Sequence, residues 1–156
     1  VAARAWTATA AEAPEVARLL IGFRDHLGYA TPDDPAFHAG VARLIADADT
    51  EYLLGAVGDD AAAVGVVQLR FRWGLWRTGG DCLVEDVFVE EAARGRGVAR
   101  ALLDLATARA LARRCRRMEL DVSEANAPAL ALYRSYGFRE RPSPDAPRDL
   151  YMRRHL

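Results

Sequence analysis

Residues 83–103 read Leu-Val-Glu-Asp-Val-Phe-Val-Glu-Glu-Ala-Ala-Arg-Gly-Arg-Gly-Val-Ala-Arg-Ala-Leu-Leu: an apolar strand, an acidic turn, then a glycine-bearing loop that opens an amphipathic helix. Gly95 and Gly97 let the backbone approach an anion with no Cβ in the way. The unpaired N–H groups of the first helical turn point at that anion, and the helix dipole favours its charge. Arg94, Arg96 and Arg100 add cationic reach. The junction reads as a pyrophosphate cradle, although Gly-Arg-Gly also serves as a plain tight turn with solvated arginines. It is not a Walker loop, because no Gly-Lys-Ser/Thr follows. Nor is it a dinucleotide fingerprint, because Arg100 stands where a third glycine is needed.

Outward from this junction the chain alternates strands and helices. Upstream, residues 4–9 predict a strand and 12–27 a helix with Pro14 in its first turn and Gly28 beyond its end. A second short helix is expected over 35–46. Residues 52–57 and 63–71 read as a hairpin turned at Gly58-Asp59-Asp60, and 73–80 as a turn into the strand 82–89. Downstream, the pattern predicts a long helix over 95–113, a strand over 118–123 and a helix over 127–136 stopped by Gly137. A hairpin of 138–141 with 150–155 is expected to close the chain, and Arg113-Arg114-Cys115-Arg116-Arg117 reads as the cationic end of the long helix. Strands interleaved with helices imply one α/β sheet of mixed strand direction.

The 156 residues, 51% of them hydrophobic, suffice for one domain, 1–156, with a sizeable core. The chain shows no apolar run of membrane-spanning length and no basic, apolar leader, so a cytoplasmic protein with no membrane partner is expected. A net charge of −1 argues against a nucleic-acid binder. Residues 1–60 hold four Arg against ten acids, whereas 61–156 hold seventeen Arg against twelve. A basic half suits phosphates and an acidic half a cationic partner, and solvated surface charge accounts for the asymmetry equally well. Cys82 and Cys115 lack metal-ligand spacing and read as buried thiols, so no metal is expected.

With Arg94, Gly97 and Ala99 in place, the loop resembles the Arg/Gln-x-x-Gly-x-Gly/Ala signature of the GNAT superfamily of acetyl-coenzyme A-dependent N-acetyltransferases. A second segment, 120–138, resembles that family's second cofactor element: a strand, Asn126, then a helix that bears Tyr133 and ends in Gly137-Phe138. The two stand in the family's order, and the resemblance covers residues 50–156 well and the earlier chain loosely. It implies a single domain with a mixed, mostly antiparallel sheet flanked by helices, and acetyl-coenzyme A as co-substrate. Coenzyme contacts are implied at Val87, Phe88, Val89, the whole loop from Arg94 to Arg100, Asn126 and Tyr133. The polyamine and diamine branch is nearest in motif, through Glu85-Asp86, Val122-x-Glu124-x-Asn126-x-Pro128 and Tyr133 seven residues after Asn126. Ala125 departs from that branch, where an aromatic residue is common.

Amide formation from a thioester needs a neutral amine, a polarised carbonyl, a held coenzyme and a proton for the leaving thiolate. By resemblance Tyr133 donates that proton, and a phenol of pKa ~10 is close enough to a thiol of ~8.5 to do so. Tyr136 is assigned to packing. An alkylammonium of pKa ~10.4 cannot pass its proton straight to a carboxylate near ~4.3, a step uphill by about 8 kcal/mol. Glu85, chosen by resemblance, is therefore expected to act as an acceptor-binding anion or through a water relay. On an extended strand Glu85 and Asp86 point to opposite faces, so only one meets the acceptor. The resemblance also implies a bulge that frees backbone N–H groups near Val87, Phe88 and Val89 to polarise the carbonyl. Trp73 and Trp76, beside Arg72 and Arg77, are candidate walls of the acceptor cleft, with hairpin packing as the alternative. The activity these residues point to is acetyl transfer to a primary amine of a small cationic metabolite. The alternatives are a protein N-terminus or lysine as acceptor, or an acyl-coenzyme A sensor without turnover, which would need neither Tyr133 nor Glu85. A homodimer is left open.

Overall fold

The structure, a computed structural model, describes residues 1–156. Its five strands, β1 (Ala3–Thr7), β2 (Thr50–Val57), β3 (Gly65–Gly74), β4 (Gly79–Val89) and β5 (Cys115–Glu119), lie in one sheet in chain order. Neighbours from β1 to β4 are antiparallel. β5 follows β4 through a helix, the kind of crossover that parallel neighbours require, which makes the sheet mixed and mostly antiparallel. The helices are α1 (Ala13–His26), α2 (Asp34–Ile45), α3 (Val98–Ala112) and α4 (Ala127–Ser135). The chain forms two compact units, Val1–Met118 and Glu119–Leu156.

In the first unit the sheet is covered on both faces, which is why β2 is buried along nearly its whole length. One face carries Tyr52, Leu54, Val66 and Phe88, packed with Val16, Leu19 and Leu20 of α1 and Val41 of α2. Each such side chain removed from water contributes about 1.5–3 kcal/mol. α3 lies on the other face, over Gly55 and Gly65. A Cβ at these glycines would come within 3.0 and 2.8 Å of Val98 Cγ1, so their lack of a side chain sets how closely α3 seats. Local signals fix the helix starts. The Asp33 side chain caps α2 by accepting from Ala36 N at 3.0 Å, and Thr9 and Glu12 form a capping box ahead of α1.

Two expectations from the sequence are corrected. The arginine cluster does not close α3, which stops at Ala112; Arg114, at φ +58°, turns the chain, and β5 begins at Cys115 rather than at 118. The reason is electrostatic: Arg109 and Arg113 bond the buried Glu51 at 2.6 and 2.7 Å, while Arg117 on β5 bonds the buried Asp81 at 2.8 Å. The expected hairpin of 138–141 with 150–155 does not form; residues 138–156 contain no strand. Pro142, Pro144 and Pro147 offer no N–H to a ladder, and Leu150, Tyr151 and Met152 are exposed and give it no apolar face.

In the second unit, Asn126 Oδ1 accepts from Ala129 N at 3.2 Å and caps α4. Gly137, at φ +89°, ends it: Gly137 N donates to Arg134 O and Phe138 N to Tyr133 O, the paired bonds of a Schellman motif.

Candidate active site

The loop between β4 and α3 is built as a concave, exposed run of backbone. Gly95 and Gly97 sit at φ +72° and +88°, and Gly97 is the N-cap of α3. A Cβ at Gly95 would meet nothing within 4 Å and one at Gly97 only Ala3 at 3.5 Å, so conformation rather than crowding calls for glycine. No side chain caps α3, and its first intrahelical bond is donated by Ala101 N to Gly97 O, leaving the N–H groups of Val98, Ala99 and Arg100 ahead of the ladder. Arg94 Nε donates to Val89 O at 3.0 Å and its Nη2 lies 3.4 Å from His26 Nε2, which ties the loop to β4 and α1. Arg94, Arg96 and Arg100 are exposed around it. Donors, dipole and cations thus converge on one turn, a fit to a diphosphate.

A bulge in β4 decides which side chains face which way. Leu69 pairs with Val84 but Gln68 pairs with Asp86, so Glu85 is an extra residue in the ladder. Up to the bulge, Cys82 and Val84 share the face of Phe71, over which Arg113 lies at 4.1 Å on the α3 side. Beyond it the alternation is reversed: Asp86 and Phe88 now face α1 and α2. Glu85 is on that face too, accepting from Gln68 Nε2 at 2.6 Å and lying 3.8 Å from Arg70. The expectation that only one carboxylate of the pair meets the acceptor side is therefore overturned, because the strand is not regular there. Val87, Phe88 and Val89 follow at once, paired with Val67, Val66 and Gly65 of β3.

Over this face, between α1, α2 and the sheet, lies a cavity of about 360 Å³. Its wall is mainly apolar, with Leu20, Phe23, Phe37, Val41 and Leu44 prominent; the sheet contributes Tyr52, Gln68 and Asp86 from three adjacent strands, and Tyr29 and Thr31 add hydroxyls beside the helices. The only other charged lining residue, Arg24, is ion-paired with Asp25 and Asp34 at 2.8 Å each. Tyr52 is 1% exposed, and its hydroxyl has no hydrogen-bond partner. Burial, then the carboxylates of Asp86 and Glu85, push its phenol pKa up. Tyr52 and Gln68 carry no motif; a tyrosine in an apolar strand reads as core, and only the three-strand register reveals their shared surface.

Trp73 and Trp76 do not line this cavity. They lie at the β3–β4 turn, both exposed, Trp76 at 95%. In the second unit, Tyr133 is half-buried in α4 with its ring edge-on to Phe138, centroids 6.1 Å apart, the apolar contact that accompanies a Schellman end. Burial, and secondarily the Asp121 carboxylate, raise its pKa.

A sequence model of the acetyltransferase (GNAT) family matches residues 18–138. The chain belongs to the GNAT acetyltransferase family. It is accordingly an acyltransferase, and members of this family use acetyl-coenzyme A. Among solved structures, an acetyltransferase from Arthrobacter sp. FB24 is 26% identical with a TM-score of 0.86, over 97% of this chain and 95% of that one. The aminoglycoside N-acetyltransferase AAC(6')-Iy, solved with coenzyme A, is 17% identical with a TM-score of 0.77, over 99% and 95%. A ribosomal-protein-alanine N-acetyltransferase from Brucella melitensis biovar Abortus 2308 is 22% identical with a TM-score of 0.76, over 99% and 100%. The last two likenesses concern the GNAT fold alone. No curated protein matches the chain in sequence.

Proposed function

We propose that this GNAT acetyltransferase moves an acetyl group from acetyl-coenzyme A to the primary amine of a small cationic molecule. The observation that carries the reading is the β4 bulge: it sets Glu85 and Asp86 on one face, and the same strand then leads into the Gly95–Gly97 turn. When bound, the coenzyme supplies an activated acyl group and a thiolate able to leave. The N–H groups of Val98, Ala99 and Arg100 hold its diphosphate, with Arg94 and Arg96 adding charge. Backbone N–H groups near Val87, Phe88 and Val89 polarise the acyl carbonyl, and Asn126 contacts the coenzyme.

Glu85 and Asp86 attract the ammonium, and Glu85, the more exposed, takes its proton through water. Tyr133 donates the proton that the departing thiolate needs, and its raised pKa keeps the phenol protonated at neutral pH, as a donor must be. The Glu85-Asp86 pair and the 122–128 motif support a diamine or polyamine as one acceptor class. Thiol release measured across amines, aminoglycosides and peptides tests the reading. Tyr133→Phe is expected to lower kcat about a hundredfold with the KM for acetyl-coenzyme A unmoved; unchanged turnover removes Tyr133 from this role.

A further inference from the structure

Glu85 is the one residue of β4 without a register partner on β3: Leu69 pairs with Val84 and Gln68 with Asp86. In a regular strand the pleat aims each side chain, whereas the extra residue of a bulge takes its direction from what its side chain meets. Glu85 meets Gln68, whose Nε2 donates to Glu85 Oε2 at 2.6 Å, and, farther off, the Arg70 guanidinium at 3.8 Å. Resting on the reading of Glu85 given above, we infer that Gln68 is a positioning residue for acetyl transfer. Its carboxamide holds the Glu85 carboxylate on the α1 and α2 side of the sheet and favours the anion that takes up the acceptor's proton.

Three observations converge. Gln68 is 4% exposed, so packing fixes its amide, whereas the Glu85 side chain is 41% exposed. A rigid donor thus orients a side chain that water would otherwise leave mobile. The bond joins a neutral donor to a carboxylate, a charge-assisted geometry that favours the ionised form. A carboxamide also carries no charge of its own, so it aims Glu85 without cancelling the attraction for an ammonium. Arg70, partly exposed and at 3.8 Å, adds little in water. Both contacts end on Oε2, which leaves Oε1 to the water that relays the proton. Other ionisable groups share this side of the sheet: Asp86, Tyr52 and Tyr29 on the cavity wall, Arg24 paired with Asp25 and Asp34, and His26, whose ring centroid is 6.1 Å from that of Phe88. Burial, then the Asp86 and Glu85 carboxylates, push the Tyr52 phenol up, so it stays protonated. The remaining titrations persist in Glu85→Gln, which separates them from that of Glu85.

The test uses the full chain with acetyl-coenzyme A and follows thiol release from about pH 5 to 9. The amine is the best of putrescine, 2-phenylethylamine, an aminoglycoside and an alanyl tripeptide. Gln68→Met keeps the side chain's length and removes the donor. It should lower kcat/KM for the amine about tenfold or more and leave the KM of acetyl-coenzyme A unmoved. The acidic limb of kcat/KM should move up by about one pH unit, because the anion has lost a donor. Gln68→Glu, which sets a second carboxylate at the same place, should move that limb further. In Glu85→Gln the limb should be absent, and adding Gln68→Met should then change kcat/KM less than about twofold. A wild-type rate and limb in Gln68→Met, or a loss that persists undiminished in the Glu85→Gln background, overturns the inference and leaves the role of Glu85 standing. A Glu85→Gln chain as active as the wild type, or coenzyme binding with no release on any amine, overturns the acetyl-transfer reading of the site and this inference with it.

Discussion

At the hairpin end of β4, Asp81 is buried and met by Arg117 at 2.8 Å, with Arg72 and Arg77 at 3.7 and 3.9 Å. Past the bulge on the same strand, Asp86 faces a cavity beside a phenol whose hydroxyl no protein group satisfies. The Asp81 carboxylate is surrounded by cations from its own chain and holds β5 to the sheet. The Asp86 carboxylate borders the cavity instead. One strand thus carries a carboxylate held among arginines and a carboxylate at a cavity wall, and a single inserted residue, Glu85, separates the two.

Removing each charge should break the comparison in opposite ways. Asp86→Asn is expected to lower kcat/KM for the amine about a hundredfold, near 3 kcal/mol. Asp81→Asn should leave kcat/KM per folded molecule within about twofold and cost about 2 kcal/mol of stability in urea, below the 3–5 of a fully dry pair because its arginines reach water. Equal effects of the two variants on activity would erase the distinction drawn here.

A smaller effect sharpens the picture at the closed end. Burial pushes the Cys82 thiol up to about 12 from an ordinary 9.0. Its folded pKa is raised, so its contribution is complete below pH ~9, where both states carry the thiol. The contribution is lost as pH rises toward the folded value, by up to about 1.4 kcal/mol per pH unit. Urea midpoints between pH 8 and 10 should fall accordingly, and fall less steeply in Cys82→Ala.

The same contrast explains what was legible from sequence. The glycine turn, the Asn126 cap and the Gly137 stop are local: a few consecutive residues determine each, and the sequence predicts all three, although α3 begins at Val98 rather than at 95. The cavity is not local. Tyr52, Gln68 and Asp86 meet only because three strands align and a bulge reverses the alternation after Val84, and no period-two reading of residues 82–89 reveals that reversal. The arginines at 113–117 were hidden for a related reason, since their partners Glu51 and Asp81 lie 30 or more residues away in the chain. At the C-terminal end a strand pattern without an apolar face proved insufficient to make a hairpin.

Titration calorimetry with coenzyme A tests the central claim, that the amides at the start of α3 hold the coenzyme diphosphate. The wild-type chain is expected to give a saturable isotherm, and Gly97→Val, strained at φ +88° by about 1–2 kcal/mol, to weaken it about tenfold or more while the thermal transition stays cooperative. No saturable heat from the wild type, or equal affinity in the variant, contradicts the account.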